Sequence, residues 1–191
     1  MQVFLNIMKI ILFFILTTSM ITGQENQLNE ILLNSSIMKD ENKWRTVNDD
    51  VMGGLSSSKA IVKDDKIVFS GNVSLENNGG FASLRSPVKD YNFKEYYGIE
   101  IRIKGDGKRY SISMKETTYF TGLFYTSTFE TKKDEWITVK IPFDKFRSYY
   151  FGREVNSKKK IPLNNIKEIS LLIGDKQQGR FKAEIEYLGL Y

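Results

Sequence analysis

The sequence predicts an all-β protein, an antiparallel β-sandwich of jelly-roll type with a short N-terminal helical segment. Three observations predict it. Beyond residue 41, apolar and polar side chains alternate through most of the chain, as they do in strands with one buried and one solvated face. Clusters of Gly, Asn, Asp and Ser separate these runs, as turns separate the strands of stacked antiparallel sheets. No run with a helical period exceeds the short one before residue 41. At 191 residues, with 41% hydrophobic side chains and 3 prolines, the chain can fill one substantial core.

Residues 1–23 read as an export signal. The apolar stretch 10–16 follows Lys9 and precedes small or polar residues up to Gly23; it is too short to cross a bilayer comfortably, so a cleaved signal is expected and no membrane span after its removal. Met8 offers a second start site. No Arg precedes Arg45, whereas mitochondrial transit peptides are Arg-rich. The expectation is an exported protein, periplasmic or extracellular and of bacterial type. Residues 24–40 carry Leu28, Ile31, Leu32 and Ile37 at helical spacing within polar sequence, which suits a linker or a short amphipathic helix with no assigned role. Residues 41–191 are the predicted sandwich.

Its strands are expected in order. Residues 43–47 and 59–62 are weak candidates, and 67–75 and 80–85 are stronger. Ile99, Ile101 and Ile103 alternate with Glu100, Arg102 and Lys104, and Tyr110, Ile112 and Met114 with Ser111, Ser113 and Lys115. The GDGK segment between them carries Asp-Gly, which predicts a hairpin. Further strands are expected at 123–131, 136–142, 166–173 and 181–190. The longest connection, 144–165, contains SYYFGREV and the run Lys158, Lys159, Lys160.

Composition excludes much chemistry. With 0 Cys and 0 His there is no disulfide, thiolate nucleophile, Cys/His zinc site or Ser-His-Asp triad. No cofactor is implied. The net charge of +5 reads as a soluble basic surface, because the one lysine run sits in a loop rather than on a face; nucleic acid is not an expected partner.

The segments WRTVNDDVMGGLSSS and FSGNVSLENNGGFASLRS hold two Gly-Gly pairs reached through Asp or Asn. Asn48, Asp49, Asp50, Met52, Gly53 and Gly54 form one candidate loop, and Gly79 and Gly80 mark the other. Such residues shape tight turns, the side-chain oxygens capping backbone N–H groups. A calcium loop would use the same oxygens, but its ligand spacing is absent. Asp49, Asp50, Glu116 and Asp175 could supply a glycosidase pair only if the fold set two at a defined separation. Ser56 to Ser58 before Lys59 read as a turn rather than a Ser/Lys dyad, and Gly105 and Gly107 lack the following glycine and helix of a dinucleotide site. Asp175 shapes the turn before the last strand.

Aromatic clusters are the better lead for binding. Tyr119, Phe120, Phe124 and Tyr125 surround Gly122, while Tyr149, Tyr150 and Phe151 precede Gly152 and Arg153. Neighbouring rings on a strand cannot all point inward, so these suit sugar stacking, a protein hot spot, or closure of the open ends of the sandwich. Trp44 and Trp136 abut apolar strand patterns and read as core.

WRTVNDDVMGGLSSS, FSGNVSLENNGGFASLRS, YYGIEIRIKGDGKRY, EWITVKIPFDKF, FGREV and IGDKQQGRFKAEIEYL follow one another in that order. Together they resemble the complex I intermediate-associated protein 30 family over about residues 43–191. The resemblance implies a galactose-binding-like β-sandwich and a role as an assembly factor or chaperone for respiratory complex I, without an established enzymatic activity. The favoured expectation is therefore a non-catalytic module that binds a protein client, complex I subunits by resemblance, through its loop aromatics. The alternative is an exported carbohydrate-binding module whose partner is a glycan.

Overall fold

A computed structural model describes residues 30–40, 44–117, 122–150, 153–156 and 160–191. The stretch read as an export signal lies outside the described residues. Strand β1 (Glu30–Asn34) and helix α1 (Ser35–Lys39) come first. They are followed by β2 (Arg45–Asn48), β3 (Ser57–Lys63), β4 (Lys66–Val73), β5 (Ala82–Arg85), β6 (Gly98–Lys104) and β7 (Arg109–Lys115). The chain continues through β8 (Phe124–Glu130), β9 (Trp136–Pro142), β10 (Arg147–Tyr150), β11 (Arg153–Glu154), β12 (Glu168–Ile173) and β13 (Gly179–Leu190).

Two antiparallel sheets stack into a sandwich. One has the order β3-β4-β13-β6-β9, with β1 also paired to β13; the other runs β11-β10-β8-β7-β12-β5-β2. The chain repeatedly crosses between layers, as at β2 to β3, β4 to β5 and β8 to β9, so most sheet neighbours are distant in sequence. The expected all-β sandwich with one short helix is what forms.

Alternation decides which residues meet between the sheets. Ile99, Ile101 and Ile103 face inward from one layer, and Tyr110, Ile112, Met114, Ile169, Leu171 and Ile173 from the other, all with no solvent exposure. In β13 the inward series Phe181, Ala183, Ile185 changes phase to Leu188 and Leu190. A register shift between Ile185 and Tyr187 absorbs the odd residue, since a bulge is the device that lets a strand keep one face buried across a break in period.

Three expectations need correction. The Asp-Gly segment GDGK is not a hairpin: β6 and β7 belong to different sheets. The turn instead carries the chain across the sandwich. The Asp106 carboxylate accepts from Lys108 N (3.2 Å), the Tyr110 hydroxyl (3.2 Å) and Lys182 N (3.0 Å), fixing the crossing to both layers. A tight turn and a tight crossing need the same residues, so local sequence does not separate them. The connection 144–165 is not all loop either, because β10 and β11 extend the seven-stranded sheet.

Third, residues 24–40 contain more than a helix. The strand β1 pairs with β13 and buries adjacent leucines, Leu32 at 8% and Leu33 at 0% exposure. A register shift between Ile31 and Leu33 makes that possible. Trp44 Nε1 donates to the Leu32 carbonyl (3.2 Å), and the Asn34 side chain caps α1 by accepting from Ile37 N (2.8 Å). The sandwich thus recruits residues before 41. Among the described residues, no helix is long and apolar enough to cross a membrane.

Leu33 tests this placement. Removing a fully buried leucine costs about 2–5 kcal/mol, so Leu33→Ala will lower the urea midpoint by that equivalent. A linker position would leave the midpoint unchanged.

Candidate functional site

Two constellations stand at opposite ends of the seven-stranded sheet. At one end β2 and β5 pair through Asn48 and Ala82, and at the other through Arg45 and Arg85.

The first is built on Asp49. A short 3-10 turn, Asp49–Met52, follows β2 and buries the Asp49 side chain at 1% exposure. Its carboxylate accepts from Ser56 N (2.9 Å), Ser56 Oγ (2.5 Å), Gly80 N (2.5 Å) and Phe81 N (3.1 Å). One side chain therefore stitches the loop 49–56 to the loop 74–81. Burial by itself would raise the Asp49 pKa, but the bonds from Ser56, Gly80 and Phe81 outweigh it and hold the carboxyl below its ordinary value of 3.8.

The glycines serve this carboxylate. Gly53 (φ +88°) and Gly80 (φ +140°) adopt backbone conformations that a side chain disfavours. A Cβ at Gly54 would overlap the Asp49 carboxylate, and one at Gly79 would lie 2.6 Å from its Oδ2. Asn77 Nδ2 adds a bond to the Gly53 carbonyl (3.2 Å), and Ser58 Oγ donates to Asn48 Oδ1 (2.5 Å). The structure thus brings together Asn48, Asp49, Asp50, Met52, Gly53, Gly54, Gly79 and Gly80. Asp49 is turn-shaping, with both oxygens facing N–H and O–H donors. Outward, the loop 49–56 presents Val51 (64%), Met52 (58%) and Leu55 (55% exposed) beside an exposed Asp50, and the loop 74–81 presents exposed Glu76, Asn77 and Asn78.

The second constellation lies on the outward face of the seven-stranded sheet. Because Ile112 and Met114 point inward, Ser111, Ser113 and Lys115 point outward beside Thr128, Thr126 and Phe124 of β8. The hydroxyls bond in pairs, Ser111 to Thr128 (2.9 Å) and Ser113 to Thr126 (2.7 Å). At the β2-start end of this face Glu168 is buried, yet three cations reach it. Arg45 Nη2 lies 2.8 Å, Lys115 Nζ 2.9 Å and Arg85 Nη1 3.5 Å from its oxygens. Burial lowers the Arg85 guanidinium pKa from its ordinary value, a shift that Glu168 opposes and Arg45 adds to. Single-sequence reading missed this cluster. Each member sits at an ordinary polar strand position, and only the cross-strand register, Lys115 with Glu168 and Ser170 with Arg85, assembles it.

The aromatic candidates separate. Tyr125 is 1% exposed and belongs to the core, which corrects its expected place in a binding loop; the inward phase of β8 puts it there. Tyr149 lies half-buried on β10 opposite Phe124. Tyr150 is exposed at the β10–β11 pairing with Arg153. Tyr119 and Phe120 lie outside the described residues. Tyr91, Phe93, Phe143 and Phe146, outside both clusters, pack ring against ring where the chain crosses between the sheets.

Trp136 also departs from expectation. It is only half-buried, facing outward from β9, with Lys66, Arg102 and Lys104 within 6 Å of its ring (5.9, 5.7 and 5.5 Å). Asp175 sits in the turn between β12 and β13, at φ +56°. It pairs with Arg109, while Gln177 bonds both the amide (2.9 Å) and the carbonyl (2.8 Å) of Arg109.

The Asp49 loops fall within the segment, residues 33–185, that matches the model of a family described as "Complex I intermediate-associated protein 30". The chain belongs to that family. It is 24% identical over 174 residues to the mitochondrial complex I intermediate-associated protein 30 of Mus musculus, covering 80% of this chain and 53% of the mouse protein. It is 28% identical over 156 residues to the probable mitochondrial counterpart of Caenorhabditis elegans, covering 71% of this chain and 46% of the relative. The chain thus spans about half the length of the curated relatives it matches.

Among solved structures, the family 11 carbohydrate-binding module of the cellulase Lic26A-Cel5E of Clostridium thermocellum superposes with a TM-score of 0.62. That match is 16% identical and covers 86% of this chain and 95% of the module, which establishes a shared β-sandwich fold. The relatives overturn one expectation from sequence. They are named as mitochondrial proteins, against the periplasmic or extracellular placement drawn from residues 1–23. That expectation rested on the length of the apolar stretch, its Lys9 flank and the lack of an Arg before Arg45.

Asp49→Asn places an NH2 group among N–H donors. It will lower stability by about 2–3 kcal/mol at neutral pH, read from the urea midpoint. Because the folded carboxyl titrates below 3.8, its stabilisation is complete above that pH and disappears as pH falls through the lower folded value. The Asn variant will therefore lack this part of the acid-induced loss.

Proposed function

We propose that this chain is a non-catalytic binding module that holds protein clients during assembly of respiratory complex I. Family membership supports the complex I part of this reading, together with relatives whose names carry it. The observation that carries the binding part is the loop pair stitched by Asp49. Three large apolar side chains, each more than half exposed, stand on the loop 49–56, which a buried carboxylate ties to the loop 74–81. Apolar groups kept in water gain about 1.5–3 kcal/mol each when a partner covers them fully, and a preordered loop spares the ordering cost of binding.

Neither constellation supplies an acid–base pair. The Asp49 oxygens are engaged by donors and those of Glu168 by cations, so both carboxylates serve positioning. The glycan alternative draws on fold likeness and on Tyr149 and Tyr150. With Tyr125 in the core, the aromatic surface that suggested it is smaller than the sequence promised.

The test is capture of complex I subunits by the tagged full chain in native membranes, beside a Val51→Ser/Met52→Ser/Leu55→Ser variant. The variant will keep its urea midpoint within about 0.5 kcal/mol, as surface substitutions do, and lose at least about tenfold in client recovery, equivalent to about 1.4 kcal/mol. Undiminished recovery would remove the loops from the client surface. Glycan-array binding abolished by Tyr149→Ala and Tyr150→Ala, with no client captured, would replace the reading.

A further inference from the structure

We infer that the Arg45–Arg85–Lys115 cluster around Glu168 is a carboxylate-binding subsite that accepts a Glu or Asp side chain from an extended segment of the protein client. This deepens the client-binding reading and rests on it, but uses the opposite end of the sheet from the Asp49 loops.

Charge is the first argument. Three cations share one carboxylate at 2.8, 2.9 and 3.5 Å, leaving two positive charges uncompensated within the cluster. Among the described residues, Glu168 is the one carboxylate in ion-pair contact with any of the three. At the intermediate dielectric of a protein surface, cations a few ångströms apart repel by some kcal/mol, so a second anion relieves a strain already present. Desolvation is the usual obstacle to such pairing. Here it is largely met on folding, because the side chains of Lys115 and Arg85 are only 11% and 18% exposed. Arg45, at 52% exposure, remains open and carries a planar fork suited to two-point bonding of a carboxylate.

Shape narrows the ligand. The depression at the cluster is lined by Arg85, Lys115 and Glu168 together with Phe124, Ser170 and Leu172, and encloses about 30 Å³. That admits the end of an acidic side chain, whereas sites that engulf a small molecule run to about 300–1,000 Å³. Ser113 is paired with Thr126 (2.7 Å), and the Glu168 carboxylate is held by cations. Phe124 and Leu172 offer apolar flanks, which match apolar residues on either side of an acid in a peptide.

The experiment uses the full chain and the peptide GSLELEGS, acetylated and amidated, against its Gln counterpart GSLQLQGS and against trigalacturonate, by isothermal titration. The Glu peptide will bind at least about tenfold tighter than the Gln peptide at low salt. Its advantage will shrink severalfold between about 20 and 200 mM NaCl, as exposed charge pairs are screened. Arg45→Gln leaves Glu168 two cations and a folded protein, and will lose most of the Glu-peptide preference. Glu168→Gln, checked for folding by its urea midpoint, will bind the Glu peptide more tightly, because the internal competitor is gone; a merely structural ion cluster would not do this.

Equal binding of the Glu and Gln peptides, or an unchanged preference in folded Arg45→Gln, overturns the subsite. If client capture through the Asp49 loops persists in that case, the protein-client reading stands without it. Tighter binding of trigalacturonate than of the Glu peptide overturns the subsite and counts against the client reading as well.

Discussion

One buried carboxylate organises the end of this sandwich that faces outward with apolar residues. Asp49 receives hydrogen bonds from two loops that are separate in sequence, and both glycine pairs make sense through it. Two of those glycines release the backbone, and two leave room for the carboxylate itself. Without the stitch, Val51, Met52 and Leu55 would hang on a loop untied from its neighbour, and each would lose conformational freedom on binding. With it, they form a surface whose ordering is complete before any partner arrives. The apolar exposure that would burden an ordinary loop thereby becomes a usable property.

The same sheet carries charge at its other end, assembled by register rather than by proximity in sequence. Lys115 meets Glu168 because β7 and β12 pair, and the two arginines arrive through β2 and β5. Hydroxyl pairs fill the stretch between. A face with apolar knobs at one end and surplus positive charge at the other is suited to an extended partner that spans both. The fold shared with a carbohydrate-binding module supplies the platform.

Legibility from sequence followed the range of each interaction. The alternation of Ile99, Ile101 and Ile103 with charged residues declared both strand and inward face, since that pattern is local. The Asp and Gly residues of the double-glycine loops announced turns, but not that Asp49 would reach across 31 residues to Gly80. Asp106 and Gly107 announced a tight turn and misled about its destination, because the choice between returning to the same sheet and crossing to the other is made by distant partners such as Lys182. Ile31 and Leu32 fitted a helix on spacing and joined a strand because β13 offered an unpaired edge. The cluster around Glu168 was invisible for the same reason: four polar residues on four strands become a site only when the strands pair.

Hydrogen exchange at the amides of Ser56, Gly80 and Phe81, compared between the natural chain and Asp49→Asn, tests the organising role of this carboxylate most directly. The account predicts that these amides are protected in the natural chain and exchange on the order of 100-fold faster in the variant, while β13 stays protected. Unchanged protection of the two loops in the folded variant would contradict it, because the apolar surface would then owe its order to something other than Asp49.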